Sequence, residues 1–299
     1  MTRWAEGFIA VDWGTTNRRA YLIEKGGQSS DEFEDGKGIL SVRPGEFEGA
    51  IAEIREKLGE RPMLLAGMVG SNRGWVEAPY VPCPAAIEDL VSGLVWVEPD
   101  RTAIVPGVSY VGDGRADVMR GEELQVLGAL AADLISPNGV ICHPGTHNKW
   151  IQLFAGKIHN FVTVMTGELF SLLKGHSILA DLLQAPVEPN EAFEKGVRQA
   201  LERAMLPAQL FGVRASVLLG QTEERDAASF ASGLLIGTDV RIGMSFPFAA
   251  RVVVIGRPEL TRLYAAAVGL TGREVIELDG EQCFFAGAKR IVELIDERN

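Results

Sequence analysis

A four-residue pattern, Gly-Thr-x-Asn, occurs twice in this chain, at Gly14–Asn17 and again at Gly145–Asn148. Each copy lies between an apolar run and a second run that ends in a glycine turn: Phe8–Val11, Arg19–Ile23 and Gly26-Gly27 around the first, Gly139–Cys142, Trp150–Phe154 and Gly156 around the second. Apolar runs of this length bounded by turn residues predict a β-hairpin in both places. A repeat constrains the fold more than either copy does, because it demands two units of one supersecondary type, each burying its own core. The 299 residues suffice for two such units. The pattern divides them into domains over residues 1–134 and 135–299, with a hinge near 134–138.

Around the hairpins the periodicity fills in the remaining elements. Gly38–Val42 reads as a third strand, Phe47, Ile51, Ile54 and Leu58 as one face of a helix, and Pro62–Met68 as a buried strand. Val118–Leu134 has helical apolar spacing and is stopped by Ser136-Pro137-Asn138-Gly139. In the second half, Ile158–Val164 completes the hairpin as a strand, and helices follow near 167–174, 190–203, 207–219 and 224–237. A buried strand at Arg251–Ile255, a helix near 258–267, a strand near 273–277 and a last helix near 284–297 close the chain.

Charge narrows the partners. Twenty-nine basic residues face 40 acidic ones, and the formal charge of -11 repels nucleic acid and anionic lipid. An anionic small molecule therefore needs a local cluster of donors. The three cysteines form no CxxC and read as reduced thiols. No signal-peptide core and no apolar stretch of ~20 residues is present, so a cytoplasmic protein without a membrane partner is expected. The oligomeric state is not encoded in any motif, and a homodimer is one expectation.

Nucleotide phosphates call for backbone N–H groups in close approach, hydroxyl donors and a divalent cation. Gly14, Thr15, Thr16 and Asn17 supply such a turn, and Asp12, at the end of the preceding strand, is placed to hold Mg²⁺ directly or through water. An ordinary turn with an Asx residue uses the same residue types. The second copy, Gly145, Thr146, His147, Asn148 and Lys149, favours the phosphate reading, since two such hairpins can face one polyphosphate across a cleft; Lys149 adds a cation and His147 a hydrogen bond. There is no GxxxxGK[ST], no GxGxxG between strand and helix, no HExxH and no GxSxG. Thr166-Gly167-Glu168 reads as a helix N-terminus.

These residues resemble the sugar-kinase, heat-shock-protein-70 and actin superfamily over essentially the whole chain. More closely, Val11-Asp-Trp-Gly-Thr-Thr-Asn17, Gly67-Met-Val-Gly-Ser71, Gly74-Trp-Val-Glu-Ala-Pro-Tyr-Val-Pro82, Met119-Arg-Gly-Glu-Glu123 and Pro144-Gly-Thr-His-Asn-Lys-Trp150 resemble the 2-dehydro-3-deoxygalactonokinase family. The resemblance implies an α/β fold of two ribonuclease-H-like (actin-like ATPase) domains with a cleft between them, the acceptor site on the first and an adenosine site at Val252–Gly256 on the second. It further implies connecting helices at 121–134 and at Gly287-Ala288. Its implied activity is ATP- and Mg²⁺-dependent phosphorylation of the 6-hydroxyl of 2-dehydro-3-deoxy-D-galactonate in galactonate breakdown. In related sugar kinases an acid follows a glycine where the helix toward loop two begins; the match here is Glu122, with Glu123 as its competitor for the role of base. Two positions depart from the superfamily. His143 stands where loop two usually begins with an acid, and Arg257 follows Gly256 where a second glycine is common.

The acceptor's carboxylate and keto group require donors, best a guanidinium. Arg18, Arg73 and Arg120 adjoin the motif strings, each with a solvated-surface alternative. Trp75 and Glu77 are candidates to pack against and hydrogen-bond a polyol, with Trp75 equally a core residue. Three rivals stay open: a kinase for another keto-deoxy sugar acid, a phosphate-releasing hydrolase of the same fold, and a non-catalytic ATP-binding regulator.

Overall fold

The computed structural model describes residues 3–25, 27–247 and 250–298; Gly26 of the expected turn lies outside them. The chain divides into two compact units, one of residues 1–137, 155–160 and 281–299, the other of residues 138–154 and 161–280. The expected boundary at 134/135 lies close to the first of these crossings; residues 155–160 and the last helix return to the first unit.

In the first unit β1 (Gly7–Trp13) and β2 (Arg18–Glu24) form the expected hairpin, followed by β3 (Ser29–Asp35), α1 (Phe47–Leu58), β4 (Met63–Gly67), β5 (Tyr80–Pro82), α2 (Ile87–Ser92), β6 (Val95–Glu98), β7 (Thr102–Ile104), β8 (Gly107–Gly112), β9 (Arg115–Met119) and α3 (Glu122–Ala131). The main sheet has the order β3-β2-β1-β4-β7-β6, and β5-β8-β9 form a separate small sheet. Strand β1 runs antiparallel to β2 and parallel to β4, which sets Asp12 opposite Ala66 and Trp13 opposite Gly67. Ile9, Val11 and Trp13 point to one face of the strand, where Phe47, Ile51 and Ile54 of α1 cover them.

The third strand is not where the periodicity put it. Residues 39–41 form a 3₁₀ turn, and the strand is the acidic Ser29–Asp35 segment. Backbone donors explain the difference: the amides of Gly38, Ile39 and Leu40 go to the carbonyls of Thr16, Gly14 and Thr15, so none remains for a ladder. As an edge strand, β3 needs no apolar alternation; it pairs through charge, Asp35 with Arg18 at 2.7 Å and Glu34 with Arg19 at 3.1 Å. Helix α3 likewise starts later than its apolar spacing suggested, because Val118 and Met119 belong to β9.

The second unit repeats the plan. Its strands are β10 (Gly139–His143), β11 (Asn148–Phe154), β12 (Lys157–Val164), β13 (Arg251–Gly256) and β14 (Glu274–Asp279), and its helices α4 (Thr166–His176), α5 (Glu191–Glu202), α6 (Leu206–Leu218), α7 (Ala227–Gly243) and α8 (Pro258–Gly269). The order β12-β11-β10-β13-β14 matches β3-β2-β1-β4-β7 strand for strand, and again the first strand is antiparallel to the second and parallel to the fourth. Two copies of this topology make the chain an α/β protein of two ribonuclease-H-like domains, as the resemblance implied. Val140, Cys142, Trp150, Val252 and Val254 pack with Phe193, Val197 and Val240 to form the second core.

The last helix, α9 (Gly280–Arg298), packs in the first unit against α3. A Cβ added at Gly287 would lie 2.2 Å from the carbonyl oxygen of Leu124, and one at Gly128 would lie 2.1 Å from that of Cys283, so the two helices touch backbone to backbone. Among the described residues no helix is long and apolar enough to cross a membrane.

Candidate active site

In the first unit the carboxyl ends of β1 and β4 and the start of α3 meet. A Cβ at Gly67 would come 3.5 Å from Asp12 Oδ1, and one at Gly121 would come 3.4 Å from Gly67 Cα. Asp12 is half-buried, and desolvation raises its carboxyl to about 6; the nearby Arg19 opposes this, while Glu122 and Glu34 add to it. Asp12 and Glu122 thus feel each other's charge at one end of the sheet.

The turn after Asp12 is held from its carbonyl side. Gly14, Thr15 and Thr16 give their carbonyls to the 38–40 segment, and the Asn17 carbonyl accepts from the Gly14 N–H at 2.9 Å. The amides of Thr15, Thr16 and Asn17 have no partner among the described residues, and all three residues are exposed. Three successive unclaimed N–H groups are what a phosphate oxygen requires. Gly38 makes the support possible, since a Cβ there would fall 2.3 Å from the Thr16 carbonyl carbon. Gly38→Ala should therefore displace the turn and weaken its hold on a phosphate group by about tenfold or more; unchanged phosphate-ligand affinity would show that the support is dispensable.

The second unit builds the same arrangement with other residues. The Thr146 carbonyl accepts from the Glu168 N–H at 3.0 Å, and the Glu168 carboxylate reaches His147 Nε2 at 2.6 Å. Gly167 is pressed against the loop, where a Cβ would lie 2.6 Å from the Gly145 carbonyl oxygen. The amides of Gly145, Thr146 and His147 are unclaimed among the described residues. Gly256, at the end of β13, comes close to this loop: a Cβ there would sit 3.7 Å from Pro144.

The two glutamates at the start of α3 separate clearly. Glu123 is fully buried and folds back on its own helix, both oxygens accepting from the Gly121 N–H at 2.9 and 2.7 Å. Burial, reinforced by Glu122, pushes its carboxyl up to about 8. Glu122 is only half-buried, and its Oε2 accepts from the Arg120 N–H at 3.0 Å. Because the native carboxyl of Glu123 binds its proton more tightly than the unfolded one, its contribution to stability is complete below pH 4.5 and is lost as pH rises toward 8. Glu123→Gln, which keeps an acceptor for the Gly121 amide, should flatten that decline, worth up to ~4 kcal/mol. Denaturant titrations of both proteins at pH 5 and pH 8 check this, and parallel pH profiles would refute it.

Several expected site residues have other duties. Arg18 is fully buried; it makes a two-pronged pair with Asp35, donates to the Ala50 carbonyl at 3.2 Å and lies over the Trp13 ring at 5.2 Å. The expectation that it contacts the acceptor is corrected: position 18 begins β2, and its side chain turns into the sheet's covered face. Asn148 is likewise fully buried, its side-chain amide spent on Asp239. Lys149 is 5% exposed, and its ammonium donates to Thr163 at 2.8 Å, so it is not the open cation that was expected. Trp75 stacks on Phe47 with rings 6.3 Å apart, the core alternative.

Arg73 and Glu77 remain exposed on the loop after β4. Arg120 is buried; it donates to the Ala78 carbonyl at 2.7 Å and lies under the Tyr80 ring, and its Nε and NH1 lack partners among the described residues. Three contributors escaped the sequence reading: Gly38, taken for a strand; Glu168, taken for an ordinary helix start; and Asp239, beyond the expected end of a helix. The last left a signal, a lone acid within the otherwise uncharged run Ala227–Val240.

Duplicated domains of this topology, each with a glycine-threonine turn of unclaimed amides after its first strand, define the actin-like ATPase class of the ribonuclease-H-like fold. A family model described as 2-keto-3-deoxy-galactonokinase matches residues 12–291. The chain belongs to that family. It is 35% identical to the 2-dehydro-3-deoxygalactonokinase of Escherichia coli strain K12, over 96% of this chain and 98% of the relative. A Rhizobium meliloti strain 1021 protein assigned the same activity is 33% identical over 94% of each chain. The fold superimposes on the crystal structure of a Sinorhizobium meliloti protein, also assigned as a 2-dehydro-3-deoxygalactonokinase, with a TM-score of 0.88, 32% identity, and coverage of 96% of this chain and 99% of that one.

Proposed function

We propose that this chain transfers the γ-phosphoryl group of ATP to the 6-hydroxyl of 2-dehydro-3-deoxy-D-galactonate, the step that follows formation of the keto-deoxy acid in galactonate breakdown. Membership of the kinase family supports the reaction type. The observation that carries the site assignment is the pair Asp12 and Glu122, brought beside a turn with three unclaimed amides. Phosphoryl transfer requires little more than positioning, a base and charge compensation.

Glu122 is the base in this reading. It is half-buried at the first residue of α3, its Oε2 oriented by the Arg120 amide at 3.0 Å, and its charge is felt by Asp12 at the carboxyl end of β1. Glu123 is buried and committed to the helix start, which argues against its taking that role. In the first unit the amides of Thr15, Thr16 and Asn17 and the two threonine hydroxyls are the groups for phosphate oxygens, in a turn closed by Gly14; in the second unit the amides of Gly145, Thr146 and His147 are their counterparts. Gly256 leaves room for the nucleoside beside Pro144.

Mg²⁺ fits Asp12. Among the described residues no cluster of three or more His, Cys, Asp or Glu could cage a metal, and a magnesium ion characteristically takes one or two carboxylates with water and phosphate oxygens. Burial has raised Asp12, so a cation there relieves an unfavourable charge. When bound, the ion would spread the negative charge of the phosphates.

Exposed Arg73, and Arg120 with its two unsatisfied donors, are the guanidinium groups for the acceptor's carboxylate and keto oxygen, and Glu77 is a hydrogen-bonding partner for its hydroxyls. Arg73→Ala should raise KM for the acceptor by ~10-fold or more and leave KM for ATP within about twofold. ADP formation measured across a panel of keto-deoxy sugar acids tests the whole assignment. Preference for the galactonate-derived isomer is expected; equal or greater use of the gluconate-derived isomer would move the substrate, and phosphate release without any acceptor would make the protein a hydrolase.

A further inference from the structure

Asp239 lies on α7, fully buried, with no part in the chemistry described so far. Four side chains donate to its carboxylate. Asn148 Nδ2 reaches both oxygens at 2.9 and 3.0 Å, Trp150 Nε1 reaches Oδ1 at 2.6 Å, and the hydroxyls of Tyr264 and Thr166 reach Oδ2, the former at 2.6 Å. Every donor is neutral. Desolvation raises the carboxyl, so the protein keeps an acid where an apolar side chain would be less costly to bury.

The donors' positions give the acid its purpose. Asn148 is the last residue of the loop that begins at Gly145, and Thr166 opens α4, whose next two residues are Gly167, pressed on the loop, and Glu168, which holds Thr146 and His147. Asn148 further accepts from the Cys142 thiol at 3.5 Å, tying the strand before the loop to the loop's last residue. One carboxylate thus fixes the far end of the loop and the helix start that supports its middle.

We propose that Asp239 is the positioning residue of the second phosphate loop, presetting the amides of Gly145, Thr146 and His147 for ATP by holding Asn148 and Thr166 in register. The proposal rests on the reading of Gly145–Asn148 as a phosphate loop. Without the carboxylate the loop must be ordered by the nucleotide itself, and the cost falls on ATP use alone.

Steady-state kinetics of the full-length protein with each substrate varied separately, beside thermal melts, test this. Asp239→Ala should raise KM for ATP about tenfold or more while KM for the acceptor stays within about twofold. Asp239→Asn should recover most of the loss, because its carbonyl can still accept from Trp150 and Asn148 while its NH₂ donates to the hydroxyl oxygens of Thr166 and Tyr264. Asn148→Ala, which leaves Asp239 three donors, should reproduce the ATP effect, and the double variant should be no worse than the worse single one. It also carries the test if Asp239→Ala does not fold. A lowered melting temperature with unchanged KM for ATP in these variants overturns the proposal. Gly145→Asp, which sets a negative charge on the loop itself, separates the two levels. Where the Asp239 and Asn148 variants leave KM for ATP unchanged and Gly145→Asp raises it, only the role of Asp239 falls; where Gly145→Asp leaves it unchanged as well, the phosphate-loop reading falls with it.

Discussion

Replacing Glu122 by glutamine is expected to lower kcat by roughly 10²–10⁴-fold, the usual contribution of a positioned general base, with KM for ATP changed by no more than about twofold. Glutamine preserves the shape and can still accept the Arg120 amide that fixes one oxygen. It cannot take a proton from the acceptor hydroxyl. Glu123→Gln is the internal control. Both Glu123 oxygens accept from the Gly121 amide, and the residue has no exposed surface, so its substitution should shift the stability profile and leave kcat nearly intact. Single-turnover measurement of phosphoryl transfer in both variants distinguishes them. A large loss in the Glu123 variant with a small one in the Glu122 variant would exchange their roles.

Asp12→Asn should act on the other substrate, cutting kcat/KM for Mg-ATP by ~10²-fold or more, as expected when a charged group at the phosphates is lost. The pH dependence gives the sharper signature. In the ligand-free protein the Asp12 carboxyl is raised to about 6, so as pH falls through that value the residue takes up a proton and its attraction for a cation disappears. For the native enzyme, kcat/KM for Mg-ATP should therefore decline below about pH 6, and the residual activity of the Asn variant should lack that acidic limb. An unaltered limb in the variant would assign it to another group.

How much of this could be read from the residues depends on where the information lies. The duplicated hairpins were legible because strand, Gly-Thr-x-Asn and strand are contiguous, and their antiparallel pairing follows from short-range geometry. The segment 38–40 was not, since its amides serve a loop more than twenty residues earlier, and the local apolar pattern at Ile39-Leu40 resembles a strand equally well. Its displacement of the third strand to the acidic Ser29–Asp35 segment was invisible for a related reason. An edge strand paired through Arg18 and Arg19 carries no apolar alternation.

Side chains flanking a motif proved the least legible. Arg18 and Lys149 follow the Gly-Thr-x-Asn pattern directly, yet both begin or enter a β-strand whose alternation turns them inward, to Asp35 and Thr163. Asp239 shows the converse. It lies 91 positions from Asn148, and only the packing of α7 against β11 brings the two together. Motif strings therefore locate the turn after each first strand, while the residues that hold those turns in place are set by tertiary contacts.

As a member of the 2-keto-3-deoxy-galactonokinase family, this chain is expected to phosphorylate a keto-deoxy sugar acid on its terminal hydroxyl at the expense of ATP. Incubating the purified protein with Mg-ATP and 2-dehydro-3-deoxy-D-galactonate, and following both nucleotide and product by ³¹P nuclear magnetic resonance, tests it directly. One ADP per phosphomonoester is expected, with the new phosphorus signal coupled to the C6 methylene protons and none formed when the acceptor is omitted. Inorganic phosphate appearing in place of the ester, or ATP left intact in the presence of the sugar acid, would contradict it.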